Sequence, residues 1–551
     1  MRQLPPGEVP EPARRPRAPA LPGLRLSHRF GSSAAGAPPS PPSPPSPPWP
    51  ALAAGAAGAA SGIATALAFP PTDWGPLAFV SLVPLALVFG RARRGGVAAA
   101  GAGFGLAFFG LLFPWIHLFG LAAYLLLVGL ESAFVAAFLT LGTVLRDALP
   151  RRGRLLAFPV AMLAGEYVRS RFPLGGFPWG GLGYSQHNDR LVLHLAAYGG
   201  VWAVSLLVAL VNAVLAAAAA ALRESPAYAG AAVLAAAVLV VAPAALPVPT
   251  PAGPQATIAL VQGNAPQQDP AHPHALDQEA LDSQVRETGA LLGRHVDLVV
   301  WPESSVGHDP FSDANLLGPL QATIRQVGAP FLVGATIGVP GTPGADGGAA
   351  RFRNESLYFS AAGTLVARYV KMHLVPFGEY VPARRQLAGW IKELNRVPAD
   401  GIPGHVPTVF ALPHGKFASV ICYETAYAES VRSFVARGAR MIVVSTDNSS
   451  YRRTAASAQM VAMSQLRAAE ERVWVAQAAI TGISAVIAPD GHVEQRTGLF
   501  EPALLTPTVR FATTTTLYAR FGDWLPFTVL ALGVLGTVGA VAPRVRRAVA
   551  A

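Results

Sequence analysis

The sequence predicts a polytopic α-helical membrane bundle of about eight spans that carries one extracytoplasmic α/β domain. Apolar residues make up 52% of the 551 residues and charged residues only 13%, which is too little polar surface for a water-soluble globule of this size. From residue 51 onward, apolar stretches long enough to cross a bilayer follow one another. Between residues 250 and 520, β-rich runs alternate with helical stretches, which predicts an α/β domain.

Residues 1–49 precede the first apolar stretch. They are rich in proline and arginine and end in the run PPSPPSPPWP. Repeated proline prevents regular helix and favours extended, solvated chain. No apolar stretch follows the start closely enough for an ordinary signal peptide. We expect a disordered cytoplasmic tail, with docking of a partner on its proline motifs as the alternative.

Seven apolar stretches fall within residues 50–249, which we interpret as a seven-span transmembrane region. The eighth falls within residues 521–551, which we interpret as a last span followed by a short basic cytoplasmic tail. Gly101, Gly103 and Gly105 are predicted to be packing residues, because small residues let membrane helices approach closely. The spans are predicted near residues 51–70, 74–90, 96–118, 120–145, 155–170, 191–221, 226–247 and 524–542.

The positions of the arginines predict how the bundle is oriented. The net charge is +11, and the arginines lie mainly in the tail and in short loops rather than on one amphipathic helix. Because cytoplasmic loops carry an excess of arginine and lysine, both termini are predicted to be cytoplasmic and residues 250–520 extracytoplasmic. The loop 171–190, with Arg171 and Arg190, is the exception. This charge distribution does not favour a nucleic-acid partner.

Residues 250–520 contain strand candidates, two hairpins and several helical stretches. The hairpins span residues 356–370 and 483–495 and are centred on Ala362-Gly363 and Asp490-Gly491. Helices are predicted near 274–293, 312–327, 426–437 and 455–472. Strands are predicted at 256–261, 297–301, 330–336, 417–421, 440–446 and 473–479.

Three residues at the ends of predicted strands are candidates for catalysis. Glu303 follows DLVVW, Lys371 follows TLVARYV, and Cys422, the only cysteine, follows FASVI and is predicted to open a helix. Alone, a glutamate or lysine in such a place is usually solvated, and a lone cysteine is usually a small buried apolar group. Because ligands collect outside the carboxyl ends of strands in open α/β sheets, the three together predict a site.

These three residue types fit nucleophilic catalysis by a thiol. The thiolate is the nucleophile, yet a thiol is mostly protonated at neutral pH. A carboxylate within hydrogen-bond reach can take the thiol proton. An ammonium and a helix N-terminus both favour the thiolate, and the ammonium can also stabilise an oxyanion. The expected product is an acyl thioester that a second nucleophile then attacks.

The motifs around these residues resemble those of the nitrilase superfamily. WPES at Glu303, KMHLVPFGEYVP at Lys371 and ICYE at Cys422 are similar to its three motifs, in the same chain order. More narrowly, eight spans with the domain inserted before the last one resemble the bacterial apolipoprotein N-acyltransferases over residues 51–542. The resemblance implies a nitrilase-like α-β-β-α sandwich for the α/β domain. Further similar segments are VQGN at 261–264, GFPWGGLGYSQ at 176–186 and QLRAAEERVWVAQAAITGISAVIAPDG at 465–491.

The resemblance also implies a reaction and partners. A fatty acyl chain would pass from a membrane phospholipid to Cys422, and then to the α-amino group of the diacylglyceryl-cysteine that starts an apolipoprotein. Glu303 would be the general base, and Lys371 would support the thiolate and the oxyanion. No cofactor is implied, the enzyme would lie in the bacterial cell (inner) membrane, and the oligomeric state stays open. The supporting residues that match family positions are Glu379, Tyr423 and Glu424.

The sequence departs from the family pattern in two places. The family often has Asn-Asp-Ala-Trp-Phe-Gly after the strand that follows the cysteine, whereas this chain reads Thr446-Asp447-Asn448-Ser449-Ser450-Tyr451. An aromatic residue often found shortly after VQGN is missing from NAPQQDPAHPHA. We expect these positions to contact substrate or to line a lid, so they bear on substrate preference rather than on the chemistry.

Other polar residues do not form a second known motif. The histidines are scattered without zinc-like spacing and no P-loop is present, so we expect no metal and no nucleotide. Asn354 and Asn448 begin N-glycosylation patterns, which are incidental in a bacterial protein. Glu166, Tyr167 and Arg169 end the fifth predicted span and are either functional residues or an ion pair that orients the following loop.

Two other functions stay open at this point. A membrane-tethered amidase or nitrilase would use the same three residues with water as the second nucleophile, and release of ammonia from small amides would identify it. A transporter or scaffold with a degenerate nitrilase-like domain is the other alternative. The intact Glu303, Lys371 and Cys422, and the scarcity of charged residues deep in the spans, argue against it.

Overall fold

The computed structural model describes residues 49–265, 273–339, 350–387, 397 and 399–550. The disordered tail predicted at residues 1–49 therefore lies, apart from Trp49, outside the described residues. From Pro48 to Ala551 the chain forms one compact unit. A helical bundle and an α/β domain share a hydrophobic core within it, since Phe113 of the bundle and Phe417 of the domain belong to one packed cluster.

The bundle helices coincide with the predicted apolar stretches. By length and composition, the stretches that could cross a membrane are Arg94–Leu112, Leu121–Ala148, Val192–Ala221 and Pro226–Ala245, and shorter apolar helices lie at Ala51–Ala66, Gly75–Arg91 and Trp524–Gly539. The number of eight spans stays a prediction. In chain order, the first helices are α1 (Ala51–Ala66), α2 (Ala78–Ser81), α3 (Val83–Arg91), α4 (Arg94–Leu112), α5 (Leu121–Ala148), α6 (Ala157–Arg169), α7 (Ala196–Ala221) and α8 (Pro226–Val241).

Glycines allow α1, α4 and α5 to pack backbone against backbone. A Cβ atom on Gly58 of α1 would lie 1.9 Å from the carbonyl oxygen of Ala100 on α4. A Cβ atom on Gly105 of α4 would lie 2.4 Å from the Cα atom of Ser132 on α5. No side chain fits at these contacts, so close approach of the helices depends on glycine there.

The α/β domain contains the six predicted strands and both predicted hairpins. The hairpin strands pair antiparallel on either side of the predicted turns. The elements of the domain are β1 (Gln255–Gln262), α9 (Pro273–Thr288), β2 (Leu298–Val306), α10 (Ala314–Val327), β3 (Phe331–Gly338), β4 (Ala350–Phe359), β5 (Leu365–Val370), α11 (Arg384–Leu387), β6 (Ala399–Gly401), β7 (Val409–Leu412), β8 (Gly415–Ile421), α12 (Ala428–Ala436), β9 (Met441–Thr446), α13 (Ala456–Glu471), β10 (Trp474–Ala479), β11 (Ala485–Ile487), β12 (Val493–Arg496), β13 (Ala503–Leu505) and β14 (Thr508–Arg510). Two helices follow the domain, α14 (Leu517–Phe521) and the last apolar helix α15 (Trp524–Ala550).

Two sheets pack face to face in the α/β domain. The first has the order β13-β1-β2-β3-β4-β5, with β14 beside β1 and β6 beside β4, and the second has the order β12-β11-β10-β9-β8-β7. Their facing sides meet where Tyr358 packs on Phe410 and Phe417. Helices α9 and α10 cover the outer side of the first sheet, and α12 and α13 pack with the second. The layers are therefore helix, sheet, sheet, helix, as the resemblance implied.

Strand β2 is longer than the sequence predicts. It continues to Val306, so Glu303 lies inside its last part rather than in a loop after it. The pairing of β2 with β3 shifts register between Trp301 and Val306, and Ser304 has a φ of 59°. This bulge bends the end of the strand and turns its side chains out of the regular alternation.

Helix α13 joins the α/β domain to the bundle. The Gln459 side-chain oxygen accepts hydrogen bonds from the indole N–H groups of Trp115 (3.2 Å) and Trp179 (2.8 Å). A Glu470 carboxylate oxygen accepts from the backbone N–H of Val201 at 2.7 Å, next to the break in α7 at Gly199 and Gly200. Because a break in a helix leaves backbone N–H groups without helical partners, Glu470 caps the second half of α7.

We predict that Gly58→Ala destabilises the bundle, because the new methyl group overlaps the Ala100 carbonyl of α4. Overpacking of this kind costs about 1–3 kcal/mol of unfolding free energy. Gly129→Ala on α5 is the matched control, since a Cβ there meets nothing within 4 Å. Thermal unfolding in detergent should show a lower midpoint for the first variant only. Equal midpoints for the two variants would contradict backbone packing at Gly58.

Glu471 on α13 is a buried carboxyl group that makes no catalytic contact. Its side chain is fully buried, and neither carboxyl oxygen has a hydrogen-bond partner among the described residues. Burial, followed by the neighbouring Glu470, raises the pKa of Glu471 to about 8. The folded protein therefore holds a proton on this group that the unfolded chain releases near its ordinary pKa of 4.5.

We predict that Glu471→Gln makes stability less dependent on pH. Because the folded-state pKa is raised, the contribution of Glu471 is fully present below pH 4.5 and is lost as pH rises towards about 8. Glutamine has the shape of a protonated glutamate and does not ionise, so the loss of stability with rising pH disappears in this variant. Thermal unfolding at pH 5, 7 and 9 should show a smaller decline for Glu471→Gln, and an unchanged decline for Glu494→Gln at an exposed position of β12. Identical declines in both variants would rule out a buried neutral Glu471.

Candidate active site

The two sheets bring the three candidate residues into one buried site. Glu303 lies at the bulged end of β2, Lys371 directly follows β5, and Cys422 directly follows β8. The first two strands belong to the first sheet and β8 to the second, so the site lies between the facing sheets. The relative exposures are 5% for Glu303, 1% for Lys371 and 5% for Cys422. Charged side chains buried to this extent need partners.

The Lys371 ammonium is shared by two carboxylates. Its Nζ lies 3.0 Å from Oε1 of Glu303 and 2.8 Å from Oε1 of Glu379. The second oxygen of Glu303 accepts a hydrogen bond from the backbone N–H of Asp447 at 2.8 Å. Segment 446–451 therefore contributes directly to holding Glu303, and the predicted supporting residue Glu379 lies in the site.

Asn354 completes this cluster, and sequence reasoning missed it. Its Nδ2 donates to Oε1 of Glu303 at 2.6 Å and to Oε1 of Glu379 at 3.1 Å, the same two oxygens that bind Lys371. Asn354 is 7% exposed, so the glycosylation pattern there is not available for modification in the fold. The predicted hairpin could have indicated Asn354, because pairing outward from the Ala362-Gly363 turn places residue 354 opposite residue 371. In the structure the Lys371 N–H donates to the Asn354 carbonyl at 2.9 Å.

Burial and mutual charge set the protonation of the site. Burial raises the pKa of Glu303, although Lys371 opposes this rise. Burial disfavours the Lys371 ammonium, but Glu303 and Glu379 outweigh it and hold the pKa of Lys371 well above its ordinary value. Burial, and then Glu303, raise the pKa of the Cys422 thiol well above its ordinary value. The resting site thus contains a charged ammonium, a protonated thiol and a carboxylate of increased basicity, which are the groups that acyl transfer through a thioester requires.

Glu424 ties the cysteine and lysine segments together. It is fully buried and accepts from the backbone N–H groups of Ile421 (2.8 Å), Met372 (2.7 Å) and His373 (3.0 Å) and from the Tyr369 hydroxyl (2.7 Å). Burial opposes its charge, but the donors around it hold the pKa of Glu424 below its ordinary value. The chain after Lys371 and the chain before Cys422 are therefore fixed to one carboxylate.

The predicted α-helix at Cys422 is wrong. Residues Cys422–Ala426 form a short 3₁₀ turn, and α12 begins only at Ala428. Cys422 has a φ of 50°, and the Glu424 side chain bonds back to Ile421, so the chain turns too tightly for a regular helix to start here. The thiol is therefore not stabilised by the N-terminus of an α-helix, and the charges of the site must act on it instead.

Tyr423 connects the thiol to loop 171–190 of the bundle. Its hydroxyl lies 3.4 Å from the Gly176 carbonyl, to which Tyr427 also donates at 3.0 Å. Its ring stacks with Phe177 at a centroid distance of 6.3 Å. The bundle loop thus lies directly against the residue that follows Cys422.

Aromatic residues of the bundle and the domain form a wall beside the site. Trp115 packs on Trp179 (4.9 Å between ring centroids) and on Tyr451 (5.0 Å). Tyr451 belongs to segment 446–451, and its ring also packs on Phe119 at a centroid distance of 6.1 Å. The other departure from the family pattern, the lack of an aromatic residue shortly after VQGN, lies in a stretch that falls mostly outside the described residues.

The charged residues at the end of the fifth predicted span bind the loop that follows them. Arg169 pairs with Glu131 at 3.0 Å and donates to the carbonyls of Phe177 and Trp179. Glu166 accepts from the Ser205 hydroxyl and the Leu182 N–H. These bonds fit the interpretation that Arg169 and Glu166 orient the loop.

In the part of the chain that the structure describes, no group of three or more His, Cys, Asp or Glu residues could hold a metal ion.

Comparisons with known proteins identify both parts of the chain. The profile of the apolipoprotein N-acyltransferase N-terminal domain matches residues 61–214, and that of the carbon-nitrogen hydrolases matches residues 257–519. The apolipoprotein N-acyltransferase of Geobacter metallireducens is 31% identical over 84% of this chain and 90% of its own length. That of Mycolicibacterium smegmatis is 34% identical over 86% of this chain and 82% of its own length.

Among solved structures, an amidase from Nesterenkonia sp. is 21% identical, with a TM-score of 0.34, over 49% of this chain and 94% of its own. The expectation of a nitrilase-like α/β domain is confirmed by the hydrolase profile. The two profiles and the full-length relatives together show that the chain belongs to the apolipoprotein N-acyltransferase family.

Proposed function

We propose that this N-acyltransferase moves a fatty acyl chain from a membrane phospholipid to Cys422, and from there to the α-amino group of the diacylglyceryl-cysteine of an apolipoprotein. Family membership supports N-acylation of lipoproteins. The observation that carries the catalytic assignment is that the only cysteine lies in a buried site with an ammonium that two carboxylates share. No cofactor takes part in this scheme.

In the first half-reaction, Glu303 is the general base. As the Cys422 sulfur attacks the ester carbonyl of the phospholipid, the thiol proton moves to Glu303 and a C–S bond forms. Lys371 donates to the oxyanion of the tetrahedral intermediate. The ester C–O bond then breaks, and the proton on Glu303 passes to the departing lysophospholipid alcohol. The acyl chain remains on Cys422 as a thioester.

In the second half-reaction, the lipoprotein amine attacks this thioester. Glu303 accepts a proton from the amine, the C–S bond breaks, and the proton returns to the sulfur. The products are an amide and the free thiol. Transfer requires that water be kept away while the amine is positioned, and the contact of loop 171–190 with Tyr423 and Tyr427 supports such shielding.

The supporting residues act through the catalytic ones. Glu379 shares the ammonium, so that Lys371 stays charged when Glu303 becomes protonated. Asn354 fixes the two carboxylates against each other, and Glu424 fixes the segments that carry Lys371 and Cys422. Tyr423 keeps the bundle loop against the nucleophile.

The enzyme crosses the bacterial cell membrane eight times, with residues 250–520 outside the cytoplasm and both termini inside. Residues 50–249 and 521–551 form the membrane part, and residues 1–49 the cytoplasmic tail. The arginine distribution and the apolar helices support this topology. Both proposed substrates are lipids or lipid-anchored, so a catalytic domain held at the bilayer surface meets them in two dimensions.

We predict that purified enzyme incubated with phospholipid gains one fatty acyl mass on Cys422, because the thioester accumulates when no amine is present. Intact-protein and peptide mass spectrometry measure the gain. Cys422→Ala should gain nothing. An unmodified Cys422 in enzyme that still acylates a lipopeptide would refute the thioester mechanism, and release of ammonia from small amides without acyl transfer would instead indicate an amidase.

We predict that Asn354→Ala lowers kcat roughly 10- to 100-fold with little change in KM, because hydrogen bonds to charged groups contribute about 1.5–3 kcal/mol. Acylation of a fluorescent lipopeptide measures both constants. Asn315→Ala, at an exposed position in the first turn of α10, is the control and should keep the native rate. A native kcat for Asn354→Ala would show that the carboxylates do not depend on the amide.

A further inference from the structure

Thr446 is the last residue of β9, the strand beside the one that Cys422 follows. Strands β8 and β9 are parallel, and the last pair in register is Ile421 with Ser445, so Cys422 and Thr446 are the residues that directly follow this pair. Neighbouring strands are about 4.8 Å apart. Thr446 is fully buried and Cys422 is 5% exposed.

The Thr446 hydroxyl is part of a small buried network. Its Oγ1 lies 2.8 Å from Oδ1 of Asn448 and 3.2 Å from Sδ of Met460. Asn448 is 1% exposed, and its Nδ2 has no hydrogen-bond partner among the described residues. A buried amide N–H without a partner is unfavourable, so this orphan calls for a physical explanation.

A half-turn of the Asn448 amide exchanges its oxygen and nitrogen. In the second orientation an N–H points at Thr446 Oγ1, and the orphan becomes a carbonyl oxygen, which tolerates the lack of a partner better than an N–H does. The hydroxyl proton of Thr446 is then free to turn elsewhere, because a hydroxyl has one donor and two acceptor positions. Gly482 leaves room for the amide, since a Cβ there would lie 2.7 Å from Nδ2.

We propose that Thr446 is a positioning residue for the Cys422 sulfur, and that Asn448 sets the direction of its hydrogen bond. With the thiol protonated, S–H donates to Thr446 Oγ1 and the Thr446 O–H donates to Asn448 Oδ1. With the sulfur ionised, the Asn448 amide is rotated and donates to Thr446, whose O–H donates to the thiolate. The network has a donor for each state of the nucleophile, and it stabilises the thiolate more than the thiol, because hydrogen bonds to charged groups are the stronger ones. This inference rests on the proposed role of Cys422 as the acyl carrier.

The charged groups around the Cys422 sulfur do not by themselves favour the thiolate, so a further hydrogen-bond donor matters. Burial and then Glu303 raise the pKa of the Cys422 thiol, Glu379 adds to the rise, and Lys371 and the Thr446 hydroxyl lower it. Tyr451 is the other titratable group that faces the thiol. Because Lys371 is bonded to two carboxylates, part of its charge is already neutralised, and a neutral hydroxyl donor helps to stabilise the thiolate.

The test measures how readily Cys422 ionises. The rate of alkylation of the full-length enzyme in detergent by iodoacetamide, followed by mass spectrometry as a function of pH, gives a midpoint for thiolate formation. Since Cys422 is the only cysteine, the signal has one source. In Thr446→Val the midpoint should rise by about one pH unit, a tenfold change in the thiol–thiolate equilibrium. Thr446→Ser should keep the native midpoint.

Ser445→Ala is the matched control. Ser445 is buried on the same strand, and its hydroxyl has no partner among the described residues, so its removal should leave the midpoint unchanged. If Thr446→Val does not fold, Thr446→Ala gives the same comparison without a branched side chain. A native midpoint in the folded Val or Ala variant overturns the inference, as does a rise of the same size in Ser445→Ala.

The outcome separates this inference from the proposed function. Native enzyme that gains no acyl mass on Cys422 from phospholipid overturns the proposed function, and with it the basis of the inference. Native enzyme that is acylated, together with an unshifted midpoint in Thr446→Val, overturns only the role of Thr446.

Discussion

The buried ammonium of Lys371 is the interaction on which the rest of the site depends. A single positive charge with almost no exposure to water is stable only with full partners, and Glu303 and Glu379 supply them. Two carboxylates around one ammonium would repel each other without further donors. Asn354 and the backbone N–H of Asp447 provide those donors, which brings strand β4 and the chain after β9 into the site. The ammonium therefore determines both the geometry and the electrostatics around Cys422.

The same constraint extends to the helical bundle. A buried charged site must be closed on all sides, and one side is made by the bundle. Gln459 on α13 holds two bundle tryptophans with one amide oxygen, and Glu470 caps the interrupted helix α7. Loop 171–190 reaches the residue beside the nucleophile. Bundle and domain form one compact unit, so the aromatic wall beside Cys422 is continuous with the bundle.

Local sequence patterns predicted the strands, both hairpins and the meeting of Glu303, Lys371 and Cys422. They could not predict features that depend on how elements meet in space. The bulge that bends β2 at Glu303 arises from its pairing with β3, and the tight turn at Cys422 depends on a bond from Glu424 back to Ile421. Asn354 was within reach, because the hairpin turn fixes which residue faces Lys371. The roles of Gln459 and Glu470 were not, since nothing local to α13 indicates that its polar residues face a membrane bundle.

The proposed mechanism requires that a thioester on Cys422 be protected from water and accessible to an amine. The most direct measurement isolates acylated enzyme free of donor lipid, and follows the acyl mass on Cys422 with and without a peptide that begins with diacylglyceryl-cysteine. We expect the thioester to persist alone, to disappear rapidly with the lipopeptide, and to leave the acyl chain on the α-amino group. Equal decay in both conditions, with free fatty acid as the product, would rule out a protected thioester.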